Sequence, residues 1–276
     1  MTCFAAIQMC STADVAANNA EIDRLVRQAA GQGAQVVSLP EAANLLLRDQ
    51  FDYLETCRTE AEDRTLALCR ALAAELGIWL HTGSLLLRQE HGERIHNRAH
   101  MIAPDGRITA RYDKLHTFDV ALGGAGDFIE SRVVAPGERG AITCDAAGQT
   151  LGLAICYDLR FPYLFRALAS AGAGVLMIPA SFSPITGPLH WEPLLKARAI
   201  ETGSYVVAAA QCGTRDGVTT FGQSRIISPL GEVLAAAEDD PAVILAEIDP
   251  TQVAETRRRL PVLRQTRLLE GVRHET

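Results

Sequence analysis

Cys156 closes a short apolar run in the segment LAICYDLRFP (153–162), where a strand pattern gives way to a helical one. A thiol at such a place is either a small packed hydrophobe or a nucleophile presented at a strand end. Glu41 stands just past the run VVSLP, and Lys114 follows the segment RYD. Singly, the glutamate reads as a solvated or capping residue and the lysine as surface decoration. Together, all three fall at or just after the carboxyl ends of expected strands, the edge at which open α/β sheets bind ligands. Their chemistry is also complementary. A free thiol, with a pKa of about 8.5, is mostly protonated at neutral pH. A neighbouring carboxylate can take that proton, and an ammonium can stabilise the thiolate and a developing oxyanion. Burial alone would neutralise either the lysine or the glutamate, whereas side by side each holds the other ionised. The backbone N–H of Tyr157, at the start of the strand-to-helix turn, is the natural second oxyanion donor.

The elements that must carry these residues alternate between two periods. FAAIQM (4–9) reads as a strand, and 18–33 as a helix with Ile22, Leu25, Val26 and Ala29 on one face. A buried strand over 34–41, a helix over 62–77 and a strand over 78–88 follow. Segment 95–116 reads as two strands about a Pro-Asp-Gly turn. The second half repeats this grammar: a strand over 149–158, a helix with Pro162 in its first turn, a strand over 175–182, a helix over 190–203 and a strand over 204–213. Residues 221–237 and 242–249 close as hairpin-like strands. Strands alternating with helices, plus direct hairpins, predict a single α/β domain whose mixed sheets are covered by helices.

Composition narrows the partners. With 276 residues, 48% of them hydrophobic, the chain has ample length for a large core. A net charge of −7 gives no general pull toward nucleic acid or an anionic membrane. No apolar stretch reaches the roughly 20 residues of a membrane helix, and the N-terminus lacks the basic start of a signal peptide. Seven scattered cysteines without C-x-x-C spacing argue against disulfides and zinc, and make a reducing cytosol the simplest compartment. His91, His96 and His100 do not share one strand face, so no metal site is expected of them. The basic segment RRRLPVLRQTR (257–267) reads as a solvated or interface arm, with 257–276 a C-terminal arm on the domain.

VVSLPEAAN, RYDKLHTFDV and GLAICYDLRFP, in this order and separated as they are, resemble the three signature blocks of the nitrilase (carbon–nitrogen hydrolase) superfamily. The resemblance covers nearly the whole chain. It implies a four-layer α-β-β-α sandwich with two mixed sheets, a homodimer or larger homo-oligomer, and no cofactor. It implies Glu41 as base, Lys114 as proton donor and oxyanion stabiliser, and Cys156 as nucleophile. DFIES (127–131) resembles a further family segment, which makes Glu130 a second active-site carboxylate that orients Lys114 and positions water.

The block at 187–213 is similar to the Nit branch of the superfamily, and 221–233 and 257–267 fit it as well. That likeness implies a small-molecule amide substrate, foremost deaminated glutathione, hydrolysed to 2-oxoglutarate and cysteinylglycine. An ω-amidase acting on 2-oxoglutaramate or 2-oxosuccinamate, or an N-carbamoyl amide hydrolase, is the alternative on the same residues. A non-catalytic binding protein on the same fold is the reading from another class. The segment ALGGAGDF (121–128) departs from the Pro-Gly turn common in relatives and is expected to border the pocket. An anionic substrate calls for positive side chains, and Arg48 and Arg160 are the candidates, the latter with a structural carboxylate pairing as its other reading. Arg198 and Glu201, three apart on a helix, read as an ion pair.

Overall fold

The computed structural model describes residues 1–123, 127–265 and 267. The first half runs β1 (Thr2–Gln8), α1 (Val15–Gly31), β2 (Val36–Ser38), α2 (Asp52–Thr56), α3 (Arg64–Leu76), β3 (Trp79–His81), β4 (Leu85–Arg88), β5 (Ile95–Ile102), β6 (Ile108–Asp113), β7 (Asp119–Val120) and β8 (Phe128–Ile129). The second runs β9 (Ile142–Ala146), β10 (Gln149–Leu153), α4 (Pro162–Ser170), β11 (Val175–Met177), α5 (Gly187–Thr202), β12 (Tyr205–Ala208), β13 (Cys212–Arg215), β14 (Val218–Phe221), β15 (Arg225–Ile227), β16 (Val233–Ala236), β17 (Ala242–Ile248) and α6 (Pro250–Arg259).

Each half builds one sheet around a parallel trio. In the first, β1, β2 and β3 run parallel, flanked by antiparallel β17 and β5, with β4 and β6 also paired to β5. In the second, β10, β11 and β12 run parallel between antiparallel β9 and β15, and β16 extends the edge. Side-chain alternation then sets the layers. Phe4, Ala6 and Val36 join Leu151, Val175 and Val207 in one buried cluster, so the two sheets face each other. Ala5, Ile7, Val37 and Leu80 point the other way, onto Ile22 and Leu25 of α1 and Leu66 and Leu72 of α3. Leu164 and Phe165 of α4 and Trp191 and Leu195 of α5 cover the outer face of the second sheet. The order is α-β-β-α, as the family resemblance implies.

Several local boundaries differ from the sequence expectation. α1 begins at Val15, not at 18, because the Asp14 carboxylate caps it by accepting the Ala16 and Ala17 N–H groups. α3 is capped in the same way by Asp63 and stops at Gly77, which is left-handed. The expected strand over 78–88 is two strands, broken at Gly83. There φ is +64°, and a Cβ would lie 2.0 Å from the Pro40 carbonyl oxygen. Only glycine lets the chain cross that closely under the loop that carries Glu41. The strand expected over 149–158 ends at Leu153, and a 3₁₀ turn begins at Cys156. The basic arm also starts differently. Arg257–Arg259 end α6, and the Arg257 guanidinium donates to the Thr202 and Ala173 carbonyls and to Ser204 Oγ. Arg257 is a tether onto the core, while residues 266 and 268–276 of the expected arm lie outside the described residues.

Candidate active site

The four expected catalytic side chains meet between the two sheets, each at a strand exit or the turn beside one. Glu41 lies three residues beyond β2 and is 4% exposed. Its loop is fixed on both sides. The next residue, Ala42, is left-handed, with φ +55°; its N–H donates to Ser84 Oγ at 3.0 Å, and Gln211 Nε2 donates to the Glu41 carbonyl at 2.9 Å. Lys114 follows β6 directly and is 2% exposed, its N–H bonded to the Asn97 carbonyl. Glu130 opens a short 3₁₀ turn after β8. Cys156 opens the turn after β10 with φ +47°, held by a 2.8 Å bond from its N–H to the Pro179 carbonyl beyond β11. A left-handed non-glycine residue costs about 1–2 kcal/mol, and strain of this kind concentrates at functional sites.

The charges are closely interlocked. Lys114 Nζ donates to Glu41 Oε1 at 2.9 Å and to Glu130 Oε1 and Oε2 at 3.0 and 2.9 Å. Ser181 N–H donates to Glu41 Oε2 at 2.7 Å, and Phe118 N–H donates to Glu130 Oε2 at 2.6 Å. The Cys156 thiol hydrogen-bonds to the Glu41 carboxylate. Burial works against the Glu41 charge, but the Lys114 ammonium and hydrogen bonds from Lys114, Cys156 and Asn97 outweigh it and hold the carboxyl below its ordinary value. Burial likewise works against the ammonium, and Glu130, Glu41 and Cys156 override it, raising Lys114 well above its ordinary value. Burial and the Glu41 charge push the Cys156 thiol well up, against the opposing pull of Lys114. The resting group is therefore a thiol beside an ionised base. The Tyr157 N–H, next in the turn, has no acceptor among the described residues.

Sequence reasoning missed the residues that brace this arrangement. Asn97 of β5 donates from Nδ2 to Glu41 Oε1 at 2.9 Å and to Glu130 Oε1 at 3.3 Å. Asp158, fully buried two residues after Cys156, accepts from the Ile155 N–H, the Tyr112 hydroxyl and the His116 N–H, and its carboxylate lies 2.6 Å from His116 Nδ1. One carboxylate thus ties the Cys156 turn to the segment on either side of Lys114. Asp158 sits inside the block that carries Cys156 and Asn97 outside every block, and nothing in their spacing marks either as part of the site.

The outer candidates are placed as follows. Arg48 is exposed and lines, with Phe51 and Phe128, a cavity of about 510 Å³. Phe128 leads inward through Phe118 to Tyr157 by ring contacts. Among the described residues Arg160 has no carboxylate partner of the kind its alternative reading called for. Its guanidinium donates to His190 Nδ1 at 3.0 Å and Thr186 Oγ1 at 3.3 Å, and lies over the Tyr157 and Phe182 rings. Arg198 pairs with Glu201 at 2.7 Å and also donates to the Leu159 carbonyl inside the nucleophile turn. His96 lies near Asp113 and His100 binds Glu60, so the three histidines do not converge. Among the described residues no His, Cys, Asp and Glu group is placed to hold a metal, and no helix is long and apolar enough to cross a membrane. Cys57 and Cys69 are buried in two smaller core clusters, and Cys144 packs against the main one between the sheets. Of the segment 121–128, residues 124–126 lie outside the described residues.

A lysine bridging two carboxylates beside a strand-end thiol, set between two helix-covered sheets, is an arrangement suited to attack on a carbonyl carbon. The chain belongs to the carbon–nitrogen hydrolase family, whose description matches residues 3–258. It is 39% identical over 267 residues to the human deaminated glutathione amidase, covering 95% of this chain and 81% of that protein. It is 35% identical over 245 residues to the human omega-amidase NIT2, covering 88% and 86%. The solved structure of the C. elegans NitFhit protein superposes with a TM-score of 0.90 at 32% identity; the match covers 96% of this chain and 65% of that one, so the chain spans about two thirds of NitFhit.

Proposed function

We propose that this chain hydrolyses a small-molecule amide through a thioester on Cys156, with deaminated glutathione as the foremost substrate. The observation that carries the reading is the buried Glu41–Lys114–Glu130 bridge in contact with the Cys156 thiol. In the first step Glu41 takes the thiol proton as sulfur attacks the amide carbon. Lys114 Nζ and the Tyr157 N–H hold the oxyanion. The C–N bond breaks, the proton passes from Glu41 to the departing nitrogen, and the amine leaves as cysteinylglycine. Water then attacks the thioester, with its proton drawn to Glu41 and Glu130 keeping Lys114 in place. The C–S bond breaks, 2-oxoglutarate is released and the thiol regains its proton. Splitting one displacement into two is the gain of covalent catalysis, and general base action contributes about 10²- to 10⁴-fold.

Arg48 and Arg160 are the proposed anion receptors. Arg160 is pre-oriented by His190 beside Tyr157, and Arg48 faces a cavity open beyond Phe128. The omega-amidase relative favours a second reading, in which 2-oxoglutaramate loses ammonia on the same residues. The reading extends to a homodimer or larger assembly, supported by the exposed apolar side chains of Tyr163, Leu189 and Ile200 on α4 and α5. It extends to the cytosol, supported by seven cysteines that are all free. The test is 2-oxoglutarate release from deaminated glutathione and from 2-oxoglutaramate, side by side, with Cys156→Ala as control. Preference for deaminated glutathione, abolished in the variant, is expected. A substantial rate surviving in Cys156→Ala would end the nucleophile assignment, and preference for 2-oxoglutaramate would select the second reading.

A further inference from the structure

We infer that Asn97 is a positioning residue that determines which oxygen of Glu41 receives the proton of the nucleophile. The inference rests on the reading of Glu41 as base. Four groups form a closed ring in which two donors alternate with two acceptors. Lys114 Nζ and Asn97 Nδ2 each bond to Glu41 Oε1 and to Glu130 Oε1, at 2.9 and 3.0 Å for the lysine and 2.9 and 3.3 Å for the asparagine. A carboxylate oxygen offers about two lone-pair sites. On Glu41 Oε1 both are taken. Oε2 accepts the Ser181 N–H, at 2.7 Å, which leaves one lone pair for the Cys156 thiol proton. Oε2 is therefore the oxygen left with capacity for a transferred proton, and it faces the second sheet, from which Ser181 and Cys156 come.

The orientation of the amide is forced. Turned over, it would set Asn97 Oδ1 against two carboxylate oxygens. In the orientation present, Oδ1 is buried and has no hydrogen-bond partner, although buried polar atoms are nearly always satisfied. The side chain is thus arranged for the two glutamates and not for its own hydrogen bonding. Without its NH₂ group, Oε1 would have a free lone pair turned away from Cys156. A proton taken there would neutralise the base on the unproductive side. The charged and titratable groups around Glu41 are Lys114, Glu130 and Cys156; the Tyr53 phenol of α2 feels its charge but is bonded to the Leu47 backbone. None of them reaches Oε1 in the place of Asn97.

The experiment compares the pH dependence of kcat/KM and of Cys156 alkylation by iodoacetamide in the wild type, Asn97→Ala and Asn97→Ser, with Glu41→Gln as reference. Alkylation needs no knowledge of the substrate. Loss of a hydrogen bond to the ionised base is expected to move the acid limb of both profiles up by about one pH unit, so that the loss of rate grows toward low pH. Serine, with one donor, is expected to fall between alanine and wild type. A folded Asn97→Ala or Asn97→Ser protein with an unmoved acid limb would overturn the inference, since a merely structural loss lowers the plateau alone. Unimpaired alkylation in Glu41→Gln would overturn the base reading itself, and so separates the two failures.

Discussion

The two halves of the molecule share a scaffold and divide the chemistry. Both are parallel trios flanked by antiparallel strands, and both exit a strand through a left-handed non-glycine residue, Ala42 in one and Cys156 in the other. The first half contributes the charged side chains that meet at the thiol, Glu41, Lys114 and Glu130, with Asn97 between them. The second contributes an uncharged thiol and backbone N–H groups, of Ser181 and Tyr157, on a tight turn. One half sets a field and the other sets a geometry. The contrast teaches that substitutions in the two halves should fail in different ways.

The largest difference is in stability. Lys114→Met leaves Glu41 and Glu130 buried side by side without their cation, and breaking such a pair costs about 3–5 kcal/mol. Cys156→Ala removes one sulfur from a packed site and should cost only about 1 kcal/mol. Urea unfolding of the two variants checks this, and equal losses would break the contrast. The next difference is in protonation. Because Cys156 is pushed up and Glu41 is held down, the ultraviolet thiolate signal assigned by difference from Cys156→Ala should be absent at pH 7. A full thiolate signal there would put the charge in the wrong half. The Glu41 shift also fixes a sign. A folded-state pKa below the ordinary 4.5 means that its contribution to stability is present above that value and lost as pH falls through the folded value. The smallest effect sharpens the comparison. Ala42→Gly relieves a left-handed residue at the cost of added chain entropy, for a net gain of about 0.5 kcal/mol. A matching gain from Cys156→Ala to Cys156→Gly would show equal strain at both exits.

The sequence made the scaffold legible because periodicity reports burial. The parallel strands carry short, largely apolar runs, and α1 repeats Ile22, Leu25, Val26 and Ala29 at helical spacing. It also made Glu41, Lys114, Cys156 and Glu130 legible as a set, through strand-end placement and family resemblance, and the structure brings the four together. Asn97 and Asp158 were not legible. Their importance comes from partners 56 and 46 residues away in the chain, namely Glu41 and Tyr112, and no local pattern encodes such a meeting. The break at Gly83 was hidden for the same reason, since the close approach of Pro40 is a tertiary fact. The partners of Arg160 were not legible either: His190 and two rings stand where its alternative reading had a carboxylate.

The pairing of β1 with β17 joins Thr2 to Ile248 and Gln8 to Ala242. On the ribosome, β1 is made before β17 and waits for a neighbour that emerges almost 240 residues later. Until then one edge of the first sheet stays open, and an open edge invites pairing with other chains. Long-range pairing of this kind also slows folding, because loop closure precedes its reward. Glu41 likewise waits for partners made far later in the chain, Ser181 and Gln211. Catalytic competence is thus expected only once both halves have been made, so a nascent chain that ends before Ser181 carries no complete site for amides.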